Sequence, residues 1–158
     1  MRHIALIACV ALLASCGFQL QGKQRLPESL VTLQVDPVDR YSDFTVALSR
    51  ALISSGVRLV DKAAPDGAVL RITRDEVEER VLSVDARNIP TDYELIYEVE
   101  VRVNAGGKEL MAAEPLSLSR IYSFDETKLL AKEHEKEVLR EALARDMASI
   151  VLRRLSAL

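Results

Sequence analysis

The order of hydrophobic patterns predicts an α+β two-layer sandwich. Two helices pack on a four-stranded mixed sheet, in the order β-α-β-β-β-α. Three observations predict it. An amphipathic stripe runs from Asp43 to Ser55, a two-sided alternation runs from Tyr93 to Val103, and a stretch free of glycine and proline runs from Asp125 to about Leu155. The chain has 158 residues, enough for one core of ordinary size.

Residues Leu30 to Val35 supply the first strand. Val31, Leu33 and Val35 share one side and Thr32 and Gln34 the other, until Asp36-Pro37 ends the run. Ser42 is placed to cap the first helix, with Asp43 in its first turn. Phe44, Leu48, Ala51 and Leu52 form its apolar stripe, and Gly56 stands where a left-handed cap is wanted. Val57 to Val60 continues as a short apolar run, and residues 63–67 make a turn.

Ala68 to Val84 reads as a strand whose first half is apolar and whose second half is charged, so the far half is expected to be solvated or to project beyond the core. Asp85 to Asp92, with Asn88 and Pro90, reads as a loop. In the next strand Tyr93, Leu95, Tyr97, Val99, Val101 and Val103 face one way and Glu94, Glu98, Glu100 and Arg102 the other, with Ile96 as the exception. Folding about Gly106-Gly107 pairs Val103 with Leu110, Val101 with Ala112, Tyr97 with Leu116, Leu95 with Leu118 and Tyr93 with Arg120. Pro115 cannot donate to a ladder, which makes the returning strand an edge or puts a bulge there. Ser123 and Glu126 have capping-box spacing at the start of the long helix. Its stripe is Leu139, Ala142, Leu143, Met147, Ile150 and Val151, and the charge run Lys132 to Glu137 reads as a solvated face.

The N-terminus reads as an address. A short basic start precedes ten apolar residues, Ile4 to Leu13. As a helix these rise about 15 Å, half of a hydrocarbon core, which suits a signal peptide and not a span. Leu13-Ala14-Ser15-Cys16 resembles the lipobox of bacterial lipoproteins. That resemblance implies cleavage before Cys16 and lipidation there, so residues 1–15 are expected to be the signal peptide, 16–27 a lipidated tether and 28–158 the single domain. Cys9 leaves with the leader. Gly17 stands where an aspartate would resemble an inner-membrane retention signal, which points to the outer membrane.

Composition narrows the chemistry. The formal net charge of −3 is not that of a nucleic-acid module. Two cysteines and two histidines offer neither a disulfide framework nor a metal site, and no cofactor motif occurs. His134, the one histidine outside the leader, lies in a charged run that lacks a zincin's second histidine. There is no nucleophile elbow or phosphate-binding glycine loop. The expectation is a binding or scaffolding protein with no catalytic residue.

A more specific resemblance follows. Cys16-Gly17-Phe18-Gln19-Leu20 resembles the mature start of the LptE family, the lipopolysaccharide-assembly lipoproteins. Arg120-x-Tyr122-x-Phe124-Asp125, Leu130-Ala131-Lys132-Glu133-x-Glu135 and Leu152-Arg153-Arg154-Leu155 resemble that family's final strand and long helix. The order of elements is also the family's. Gln19 stands where histidine is common. The resemblance implies an outer-membrane protein within the lumen of the LptD β-barrel or facing the periplasm, acting as plug and assembly partner and binding lipopolysaccharide. It implies ligand-binding roles for Arg87 and Lys132. Arg120 is a third candidate and would serve equally as the structural pair of an acid. The other function the residues allow is a periplasm-facing lipoprotein with a different envelope partner and no barrel.

Overall fold

Ser42 accepts a hydrogen bond from the Thr45 backbone N–H at 3.1 Å and so starts helix α1, Asp43–Ser54. The helix ends in a Schellman arrangement. Val57 N–H donates to Leu52 O, Gly56 N–H donates to Ile53 O, and Gly56 takes the left-handed φ of 93° that this closure requires. The computed structural model describes residues 26–123 and 129–158, the second stretch with side chains from Glu133 onward. A short 3-10 turn, Glu28–Leu30, leads into β1, Thr32–Asp36. The remaining elements are β2 (Arg58–Val60), β3 (Ala68–Val84), β4 (Pro90–Ala105), β5 (Lys108–Ser123) and α2 (Leu129–Leu155). The Ser123–Glu126 capping box extends outside the described residues.

The α+β class holds, with one correction. The sheet has five strands, in the order β2-β1-β3-β4-β5. The extra strand is the apolar run after Gly56. It pairs parallel to β1, Leu33 opposite Leu59, and β1 also pairs parallel to β3. The other pairs are antiparallel.

Both helices lie on one face. Leu33, Leu70, Ile72, Val99, Val101 and Val103 of the sheet meet Phe44, Leu48 and Leu52 of α1 and Leu143, Met147, Val151 and Leu155 of α2, all buried. Ala144 and Ala148 are also buried on α2, so its stripe is broader than the large residues alone mark. Ile96 is buried too, but opposite Glu78 and Ser119, away from this cluster.

The β4–β5 register needs a second correction. The turn is as anticipated, with Ala105 opposite Lys108 and Gly106 and Gly107 at φ of 59° and 70°. Two register shifts follow, and Val101 then faces Glu114, Tyr97 faces Leu118 and Leu95 faces Arg120. Arg120 therefore does not face Tyr93, whose partner is Tyr122. Ala112, Ala113, Glu114 and Pro115 offer no alternation to hold a ladder, and the extra residues are absorbed beside them. As Pro115 requires, β5 is a sheet edge.

Candidate functional site

The site grows out of a parity change in β3. Leu70 and Ile72 face the core. Continued without interruption, that alternation would turn Arg74, Glu76 and Glu78 inward. A register shift between Ile72 and Arg74 prevents this, and Asp75, Val77, Glu79 and Val81 stand opposite Val99, Tyr97, Leu95 and Tyr93 instead. Beyond Arg71, β3 has no β1 partner. The far parts of β3, β4 and β5 form a three-stranded arm, the projecting half expected from the charged sequence.

The arm's two faces differ. On the outer face Arg74 pairs with Glu76 and Glu98 at 2.9 and 3.0 Å, and Arg80 pairs with Glu94 at 2.9 Å. On the inner face Tyr93 and Tyr122 stack with centroids 5.7 Å apart. Tyr122 donates to Glu79, and Lys136 Nζ lies 2.6 Å from Glu79 Oε2. One carboxylate thus joins β3, β5 and α2. Partial burial pushes Glu79 up, but the hydrogen bonds from Lys136 and Tyr122 and the lysine charge outweigh it, leaving the carboxyl below its ordinary 4.5. Its contribution to stability is present above the ordinary value and is lost as pH falls through the lowered one. Lys136→Met should therefore destabilise the protein at neutral pH and lose less further stability on acidification than the parent. Urea midpoints at about pH 7 and pH 3 measure this.

At the arm's tip, Asp85 organises the loop between β3 and β4. Its Oδ1 accepts from the backbone N–H groups of Arg87 and Ile89 at 2.8 and 2.9 Å. These bonds, led by that from Ile89, hold the carboxyl below its ordinary value. Asn88 takes a φ of 63°. The Arg87 guanidinium folds back on Asp85 Oδ2 at 3.0 Å and is 75% exposed, so it is a cation on a short local tether.

Topology brings Arg87 and the start of α2 to one end of the molecule. The loop lies beyond the Asp92–Ser123 pair, where β5 ends, and α2 begins at Leu129. Lys132 is in the first turn of that helix, and its side chain lies outside the described residues, as does Cys16. Arg120 is set back. Its guanidinium lies 3.0 Å from Asp146 of α2, the acid partner weighed from sequence. Tyr122, Glu79 and Lys136 were not singled out as a group, because their meeting depends on how α2 crosses the sheet. His134 is exposed on α2. Among the described residues no group of three His, Cys, Asp or Glu side chains is placed to hold a metal ion, and no helix is long and apolar enough to cross a membrane.

The LptE family model, described as lipopolysaccharide-assembly, matches residues 30–155. The LPS-assembly lipoprotein LptE of Yersinia enterocolitica is 30% identical over 162 residues, covering 98% of this chain and 77% of that protein. Its counterpart in Pectobacterium atrosepticum is 28% identical, covering 98% and 86%. Among solved structures, the rare lipoprotein B of Shewanella oneidensis aligns with a TM-score of 0.71 at 29% identity, over 80% of this chain and 94% of that one. A lipoprotein B of Nitrosomonas europaea aligns at 0.74 and 27%, over 89% and 91%.

Proposed function

Since the chain belongs to the LptE lipopolysaccharide-assembly family, we propose that it is an outer-membrane lipoprotein anchored through Cys16, which plugs and helps assemble the LptD β-barrel and binds lipopolysaccharide. The observation that carries the plug reading is the polar exterior of the sheet. Its helix-free face carries the ion pairs of Arg74 and Arg80, and a barrel lumen is polar. The ligand is an anionic amphiphile with phosphates at its sugar end. Arg87 is suited to those phosphates. When its guanidinium turns away from Asp85, that carboxylate keeps two backbone donors and is not stranded. Lys132, in the first turn of α2, is the second cation of this reading, a point charge. Arg120, engaged by Asp146, serves the strand–helix contact.

Two experiments test this reading. The double variant Arg87→Asp with Lys132→Asp should capture labelled lipopolysaccharide at least about tenfold more weakly, because reversal replaces attraction with repulsion. Capture by the parent should fall as salt rises, since exposed charges are screened over about 8 Å at physiological ionic strength. Co-purification with the barrel should survive, because a plug interface buries far more area than two side chains. Unchanged capture by the folded variant overturns the site. A chain that runs alone in detergent, with no barrel partner, overturns the plug and favours another envelope partner. In the mature protein, mass spectrometry should find residue 16 as an acylated N-terminal cysteine. Several acyl chains, at about 0.8 kcal/mol per buried methylene, make a lasting anchor.

A further inference from the structure

Among the described residues the sheet has three edges with no pairing strand, and they are not equally protected against strand addition. β2 is only three residues long. The far half of β3 carries Arg74, Glu76, Glu78 and Arg80 and is broken by register shifts. The near half of β5 has Lys108, Glu109, Glu114 and Pro115 and the shifts beside Val103. Short strands, charge, proline and bulges are the devices that stop another chain from pairing. The far half of β5, Leu116 to Ser123, has no proline and no register shift. It holds β4 in unbroken register, and its one charge, Arg120, is engaged by Asp146.

A groove of about 340 Å³ follows the same edge between β5 and α2. Leu118, Leu143 and Ile150 line its apolar part, Arg120 and Asp146 flank it, and Arg153 completes the wall. Arg153 has no ion-pair partner among the described residues. Its neighbour Arg154 is taken by Glu114, which puts the Arg153 side of the groove toward Leu116.

We propose that Leu116–Ser123 takes up an extended segment of another polypeptide as a sixth strand. The segment alternates, setting an apolar side chain against Leu118 and Ile150 and a carboxylate against Arg153. Backbone pairing supplies affinity and the groove supplies selectivity, as in other strand additions beside a helix. Charge argues against a second copy of this chain. Leu116–Ser123 contains no acidic residue, so a two-fold pairing of β5 with itself would set no carboxylate from that strand against Arg153. The inference does not depend on lipopolysaccharide binding or on the barrel.

The test uses the full mature chain and a synthetic peptide of about ten residues that alternates threonine and valine and carries one glutamate. A second peptide has lysine in place of the glutamate. Amide hydrogen exchange should slow at alternate residues of Leu116–Ser123 when the glutamate peptide is added. Arg153→Glu should weaken that peptide about tenfold, and the lysine peptide should restore binding to the variant. No slowing at millimolar peptide overturns the proposal. So does equal slowing along Arg74–Val84, or failure of the charge swap. Protection of the same β5 amides without peptide, rising with protein concentration, would assign the edge to a second copy and overturn it equally.

Discussion

Leu143→Ala is expected to lower unfolding stability by about 2–5 kcal/mol, and Leu48→Ala by a similar amount. Both side chains are fully buried where the helices meet the sheet. Neither change adds a polar group, so the loss comes from transfer free energy and from the cavity left behind. Two-state denaturant unfolding measures it, with an unchanged slope showing that the native state keeps its compactness. A loss below about 1 kcal/mol at both positions would mean that this interface does not hold the two layers together.

Tyr97→Phe is expected to cost about 1.5–3 kcal/mol, the range for a hydrogen bond to a charged group with its partners left wanting. The Tyr97 phenol accepts from Phe44 N–H at 3.2 Å and donates to Asp75 Oδ1 at 2.9 Å. Ser42 Oγ donates to the other oxygen of Asp75 while capping α1. Removing one hydroxyl strands a buried amide and takes a donor from a half-buried carboxylate. Burial already raises Asp75 above its ordinary 3.8, despite the bonds from Ser42 and Tyr97. A carboxyl with a raised folded-state value binds more protons folded than unfolded just above that ordinary value, so its ionisation lowers stability as pH rises through the interval. Without the Tyr97 donor the interval widens. The cost of Tyr97→Phe should therefore be larger at about pH 7 than at about pH 4, and equal costs would remove Asp75 from the account.

Sequence periodicity carried the fold where one face was buried over many residues. The α1 stripe, the alternation of β4 and the Gly106-Gly107 turn each have a single reading. It failed where order comes from contacts distant in the chain. β2 is too short to show a period and is fixed partly by Arg58 N–H donating to Val31 O at 2.8 Å. The β5 register slipped because the turn specifies only its first pairs, and Ala112 to Pro115 carry no pattern to specify the next. Asp75 belongs to a run that reads as solvated, yet the bulge before Arg74 turns it inward. In the candidate site, Asn88 marked the loop that displays Arg87, but the loop expected to run to Asp92 is shorter, because Pro90 to Asp92 already pair with β3 as the start of β4. The joining of Glu79, Tyr122 and Lys136 spans three elements, and spacing does not report it.

The place of β1 bears on how the molecule carries mechanical load. β1 is the first strand after Leu26, and it lies between β2 and β3 with both neighbours parallel to it. Among the described strands, tension applied from the N-terminal side reaches that strand first. Pulled along its axis, β1 loads its flanking hydrogen bonds in shear, so they give way together, whereas an end hairpin would be peeled bond by bond. Forced unfolding is governed by the barrier to rupture and not by equilibrium stability. A domain pulled through this strand is therefore built to resist being drawn apart from its N-terminal side.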